Sequence, residues 1–162
     1  LAGKRLWEIG AGSGMVAIWC AKRGAKVTAS DISGAAIEAI GANAERNGVA
    51  LQVIHADLFE GMPAMTFDYI VINPPYYPGE PKTEAENAFY CGAEYQYFHR
   101  LFDGLAAVCH ADTTVRMVLS EDCNLKRIQQ IAAQSAWQMQ EVDRMRKLGE
   151  WNFIYACTLP GS

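Results

Sequence analysis

Apolar positions recur along the chain with two different periods. Residues 5–9 form a short apolar run suited to a buried strand. Met15, Ile18, Trp19 and Lys22 follow at helical spacing, which predicts a helix with an apolar stripe. Residues 26–30 alternate as a second strand that ends at Asp31. Ser33 is a good N-cap for the next helix, and Asn47-Gly48 a good stop. Residues 51–56 read as a third strand ending at Asp57. The apolar run 67–72 contains a fourth, residues 68–72, ending at Asn73.

Further on, Phe98, Leu101, Phe102, Leu105 and Val108 lie on one helical face. Residues 114–119 read as a fifth strand, and Leu125, Ile128 and Ala132 mark another helix. The tail changes character. Residues 137–145 and 151–159 are two strands separated by Lys147-Leu148-Gly149-Glu150, a gap too short for a helix, so they predict an antiparallel hairpin. Strands alternating with helices predict an α/β fold: a mostly parallel sheet of seven strands, helices on both faces, and the hairpin at its end. Ligands in such sheets bind beyond the carboxyl ends of the strands. There the polar residues that end the first four strands converge on one rim.

Length and composition suit one domain over residues 1–162, with 51% hydrophobic and 20% charged residues. No run is long and apolar enough for a membrane span, and no basic-then-apolar signal segment opens the chain. The five cysteines have no CxxC spacing, which fits reduced thiols and a cytoplasmic setting. The formal net charge of -4 argues against a broad nucleic-acid surface. Because the chain opens on Leu1 with a strand almost at once, an N-terminal lid or substrate segment is expected upstream.

The chemistry is concentrated in two stretches. Glu8-x-Gly10-x-Gly12-x-Gly14 follows the first strand, where glycines let the backbone approach a ligand closely. A dinucleotide fingerprint needs its third glycine at position 15, which is Met15. Asp31 suits two ribose hydroxyls, with Ile32 beside it. Asp57, with Leu58 after it, suits an exocyclic amine; an N-cap of the turn Leu58-Phe59-Glu60 is the alternative. Three acids around a glycine loop describe an adenosine site that welcomes a cation, which points to S-adenosyl-L-methionine. The second stretch is Asn73-Pro74-Pro75-Tyr76. Its two prolines donate no N–H and stiffen the loop, leaving a shelf of acceptors beside an aromatic face.

The chain resembles the class I S-adenosylmethionine-dependent methyltransferases over nearly its whole length. "WEIGAGSG" looks like their first motif, and the terminal hairpin is similar to their reversed last strand. "NPPY" is the signature of the amino-methyltransferases, and Asn43-Ala44-Glu45-Arg46-Asn47-Gly48 recurs in that group. The combination is most similar to the release-factor glutamine methyltransferases and their small-domain relatives. The resemblance implies a Rossmann-like fold and methyl transfer to a planar amide or amine nitrogen. The nitrogen would be held by the Asn73 side chain and the Pro74 carbonyl, with Tyr76 stacked on the flat group. Cofactor contacts are implied at Glu8, Gly10, Gly12, Gly14, Asp31, Ile32, Asp57, Leu58 and Asn73, with no metal. Fourteen basic against 18 acidic residues favour a protein partner, of release-factor type, over nucleic acid. Adenine or guanine in RNA or DNA is the alternative acceptor. A nicotinamide oxidoreductase and a non-catalytic adenosine-binding subunit are the remaining alternatives.

Other candidates carry less. His55, His99 and His110 lack metal-like spacing. Phe89, Tyr90, Tyr95 and Tyr97 suit either a substrate groove or core packing. Arg144, Arg146 and Lys147 suit a solvated turn or an acidic partner, and Trp137 and Trp151 suit sheet packing. Nothing in the sequence indicates an oligomeric state.

Overall fold

The structure, a computed structural model, describes residues 1–147 and 149–160. Seven strands form one sheet: β1 (Arg5–Ile9), β2 (Lys26–Asp31), β3 (Gln52–His55), β4 (Phe67–Ile72), β5 (Cys109–Ser120), β6 (Gln138–Lys147) and β7 (Glu150–Thr158). Four helices connect them: α1 (Met15–Ala21), α2 (Gly34–Arg46), α3 (Gln96–Leu105) and α4 (Leu125–Gln134). The strand order is β3-β2-β1-β4-β5-β7-β6. β1 to β5 run parallel, and β7 is antiparallel to both β5 and β6. The predicted α/β fold with its terminal hairpin is therefore the observed one. Strands are added outward in opposite directions from β1 and from β4, so the loops after these two parallel neighbours open a crevice at the carboxyl rim.

The alternation of β1 sends its side chains to two cores. Leu6 joins Ala17, Cys20, Val27 and Ile40 under α1 and α2. Trp7 and Ile9 join Phe67, Ile70, Phe98, Leu101 and Met117 under α3 and α4. Trp7 is fully buried, its ring 5.3 Å from Phe67 and 5.6 Å from Phe59. Its indole N–H donates to Ser30 Oγ at 2.8 Å, which ties β1 to β2. The predicted cap holds at α2, where Ser33 Oγ accepts from the Ala36 N–H at 3.4 Å.

Five expectations change. The apolar stripe of α1 does not face inward throughout. Ala17, Ile18 and Cys20 are buried, but Met15 is 75% and Trp19 52% exposed. Short α1 has room against the sheet for only one narrow face, and the Arg23 guanidinium lies 3.5 Å over the Trp19 ring instead. β5 begins at Cys109, five residues before its predicted start, because Cys109 pairs with Phe67 and the polar stretch 110–113 bulges out before Thr114 pairs with Tyr69. Val108 falls in a 3-10 turn after α3. Trp151 is 37% exposed at the hairpin, 5.9 Å from the Arg146 guanidinium, whereas Trp137 is buried and donates to the Phe102 carbonyl at 3.1 Å. The hairpin connection is shorter than the predicted gap, and its Leu148 lies outside the described residues.

Candidate active site at the carboxyl rim

A cavity of about 710 Å³ opens at the crevice, within the usual size for a small-molecule site. Its wall includes Glu8, Gly10, Gly12, Asp31, Ile32, Asp57, Leu58 and Asn73. Eight of the implied residues therefore meet at one place, although they come from four separate segments.

The glycine loop is built by backbone conformation. Gly10, Gly12 and Gly14 have φ of 67°, 56° and 74°, values that side chains disfavour. Gly14 does not reach the wall. It starts α1, and a Cβ there would fall 3.1 Å from Ile40, so this position lets α1 and α2 approach. A glycine also offers α1 no capping side chain. Glu8 supplies the cap from β1, its Oε2 accepting from the Ala17 N–H at 2.7 Å. Glu8 is 7% exposed. Burial, opposed by the Ala17 bond and reinforced by the Asp31 charge, pushes its carboxyl up from 4.5 to about 7.

Asp31 is already engaged. Its two oxygens accept from the N–H groups of Gly12 at 2.8 Å and Ser33 at 2.9 Å. The carboxylate thus shapes the glycine loop and keeps further lone pairs for a ligand. His55 Nε2 lies 2.7 Å from the Ile32 carbonyl and steadies the same turn. Asp57 does not cap the following turn. Its Oδ2 pairs with Arg100 Nη2 at 2.9 Å.

On the β4 side, Asn73 is exposed, and its backbone carbonyl lies 4.0 Å from where a Gly10 Cβ would stand. Among the described residues, nothing hydrogen-bonds its carboxamide. Pro74 is buried behind the wall, and Pro75 reaches it. Tyr76 is half-buried against the core, 4.7 Å from the Tyr77 ring, and is not on the wall. The Tyr77 phenol is pushed up to about 12, chiefly by its hydrogen bond with Tyr76, with Asp122 adding to it.

The sequence pattern did not reveal the strap formed by residues 77–95. Its ends are bridged by Tyr77 N–H to the Phe89 carbonyl and Cys91 N–H to the Tyr77 carbonyl, both 2.9 Å. Between them a short 3-10 helix, Glu84–Ala88, lies over the cavity. Glu84 Oε1 accepts from the Gly34 N–H at 2.8 Å, so the strap is latched to the first turn of α2. Tyr90 and Tyr97 line the cavity, Phe89 is 57% exposed, and Tyr95 packs on the core. Burial, then the Asp31 and Asp57 charges, pushes the Tyr97 phenol well above its ordinary range, so it stays a donor. The five cysteines are free. Burial pushes the Cys91, Cys109, Cys123 and Cys157 thiols up to about 11 or 12, so no thiolate nucleophile is on offer. Among the described residues, no three His, Cys, Asp or Glu side chains converge to hold a metal ion. No described helix is long and apolar enough to cross a membrane.

A glycine loop on β1, acids ending β2 and β3, and a reversed final strand define a class I methyltransferase fold. The chain belongs to the methyltransferase small domain family, whose pattern matches residues 2–137. It is 42% identical over 76 residues to a putative protein N5-glutamine methyltransferase of Methanocaldococcus jannaschii, covering 46% of this chain and 38% of the relative. It is 35% identical over 89 residues to the tRNA1(Val) (adenine(37)-N6)-methyltransferase of Vibrio campbellii, covering 52% and 37%. Release factor glutamine methyltransferases and a ribosomal RNA small subunit methyltransferase are also among the relatives. The matched segments span well under half of these proteins. A solved methyltransferase of Pyrococcus furiosus superposes with a TM-score of 0.74 at 20% identity, over 96% of this chain and 75% of that one. The nicotinamide oxidoreductase alternative falls with the family assignment.

The cofactor of this methyltransferase is S-adenosyl-L-methionine. The donor set fits it: a buried carboxyl on the wall gains from a neighbouring cation, Asp31 and Asp57 offer acceptors to hydroxyls and an amine, and Met15, Val16 and Ile32 expose apolar surface on the wall.

Proposed function

We propose that the chain methylates a planar amide nitrogen, a glutamine side chain of a protein of release-factor type. S-adenosyl-L-methionine supplies an electrophilic methyl group on its sulfonium. Glu8 and the glycine loop would hold the cationic end, Asp31 the ribose, and Asp57 with the Leu58 backbone the base. The observation that carries the reading is the Asn73 carboxamide, which stands on the cavity wall with no partner from the described residues.

An amide nitrogen is a weak nucleophile because its lone pair is delocalised. Acceptance of its N–H groups by Asn73 Oδ1 and the Pro74 carbonyl would localise that pair. The nitrogen would then take the methyl as the sulfonium S–CH₃ bond breaks to leave a neutral thioether, and would afterwards give up a proton to water. Prepositioned acceptors act where charge changes in the transition state, and the loop prolines hold them without reorganisation. Tyr76 would turn its half-buried ring to the flat face of the acceptor.

The charge around the entrance supports a protein acceptor. Residues 77–95 contain four acids and one lysine, a poor surface for a polyanion. The five free thiols suit a reducing, cytoplasmic setting. The second reading, adenine or guanine in RNA, is favoured by one feature. On the hairpin, Arg144 lies 5.9 Å from the Phe153 ring and Arg146 5.9 Å from Trp151, a basic and aromatic pairing suited to single strands. Incorporation of labelled methyl into a release-factor protein, tRNA and rRNA at low and moderate salt decides between them. Labelling of protein at both salts is expected; labelling confined to RNA and falling steeply with salt would overturn the protein reading.

A further inference from the structure

Arg100 belongs to α3, far in sequence from the cofactor motifs, yet it reaches the turn that follows β3. Its Nη2 lies 2.9 Å from Asp57 Oδ2 and 3.6 Å from Glu60 Oε1. One guanidinium therefore holds both ends of the turn over residues 57–60. The Glu60 N–H also donates to the Asp57 carbonyl at 3.1 Å across that turn. The turn is strained, because Leu58 adopts φ of 54°, a left-handed value unfavourable for a residue with a branched side chain. The helix that carries Arg100 is firmly seated, with Phe98, Leu101, Phe102 and Leu105 at most 1% exposed.

We infer that Arg100 is a positioning residue that gives the cavity its preference for adenine by fixing Asp57 and the Leu58 turn in register. The inference rests on the assignment of Asp57 and Leu58 to the base of the cofactor. With Oδ2 held by Arg100, Asp57 keeps Oδ1 as an acceptor on the cavity wall with no partner among the described residues. Beside it, among the described residues, the Leu58 backbone N–H has no partner. An acceptor next to a donor complements the adenine edge, where the exocyclic amine donates and the adjacent ring nitrogen accepts. Hypoxanthine has almost the same shape and presents the reverse, a carbonyl beside an N–H. Discrimination between the two then depends on hydrogen bonds held in register, and a site built that way rejects a mismatched partner far better than shape alone. Arginine suits the task because its planar guanidinium keeps one orientation while Nη2 stands near both carboxylates, a geometry that a lysine ammonium defines less sharply.

The ion pair is half open to solvent and adds little to stability, so Arg100→Gln is expected to fold; its melting curve verifies this. Calorimetry with S-adenosylhomocysteine and S-inosylhomocysteine is the test, on the wild type, Arg100→Gln, Arg100→Lys, Asp57→Asn and the Arg100→Gln/Asp57→Asn double variant. The wild type should prefer the adenine ligand. Arg100→Gln should bind it about tenfold more weakly while S-inosylhomocysteine changes by less than about twofold. Arg100→Lys should keep part of the preference, and Arg100→Gln should add nothing once Asp57 is Asn, since it acts through that carboxylate. An Arg100→Gln variant with the wild-type preference, or with both ligands weakened equally, overturns the inference. So does a wild type that binds S-adenosylhomocysteine with no base preference, an outcome that leaves the methyltransferase reading intact. A wild type that binds no S-adenosylhomocysteine overturns that reading and this inference with it.

Discussion

Replacing Glu8 with Gln is expected to stabilise the protein above pH 7 and to flatten its stability profile below that. Glu8 is 7% exposed on the wall of the cavity, and its carboxyl titrates near 7 in the fold against 4.5 without it. Between these values the folded protein keeps a proton that the unfolded chain has released. Stability therefore falls as pH rises through that window, is unaffected by Glu8 below 4.5, and levels off above 7. At ~1.4 kcal/mol for each pH unit, a window of roughly 2.5 pH units amounts to about 3 kcal/mol. The substituted amide still accepts from the Ala17 N–H, but its own N–H₂ lacks an arranged partner, at a cost of about 1 kcal/mol. The net gain at pH 8 is about 2 kcal/mol, or roughly 4–8 °C in Tm for a domain of this size. Thermal unfolding from pH 4.5 to 8 is the assay; the Gln variant should lie about 1 kcal/mol below the wild type at the acid end, cross it as pH rises, and lie above it beyond neutrality. Parallel curves would show that burial does not hold the Glu8 proton. A cation in the cavity should pull the Glu8 carboxyl back down. The affinity of S-adenosylmethionine relative to neutral-sulfur S-adenosylhomocysteine should therefore rise with pH in the wild type and stay flat in Glu8→Gln.

Three further outcomes follow from the site. Asp31→Ala removes the acceptor for the Gly12 and Ser33 N–H groups as well as the ribose partner, so S-adenosylhomocysteine should bind at least about tenfold more weakly by calorimetry; affinity within about twofold would refute the assignment. Asn73→Ala should leave cofactor affinity largely intact while lowering kcat by about 10²–10³, read by single-turnover methyl transfer; near-normal turnover on the true acceptor rules out the proposed role. Glu84→Ala unlatches the strap from Gly34, so S-adenosylhomocysteine should dissociate several-fold faster in stopped flow, with an unchanged Tm; an unchanged dissociation rate would mean that the strap does not close the site.

The order of strands and helices, the reversed hairpin and the meeting of Gly10, Asp31, Asp57 and Asn73 at one rim were legible in the sequence. Each depends on short-range regularities: the period of apolar residues, the turn chemistry of Gly, Asn and Pro, and the rule that parallel strands end on one side. What surrounds those residues was decided only by the tertiary structure. Glu8 caps α1 because β1 and α1 pack face to face, and it is this burial that raises its carboxyl. Asp57 is taken by Arg100, 43 residues away in sequence, and Gly34 by Glu84, 50 residues away. Trp19 belongs by its period to the apolar stripe of α1, yet it stands at the surface under Arg23. Sequence period specifies which residues share a face of an element. Which partner covers that face, and which distant charge reaches a site, depends on the sheet order that sets segments side by side, and no local pattern encodes that order.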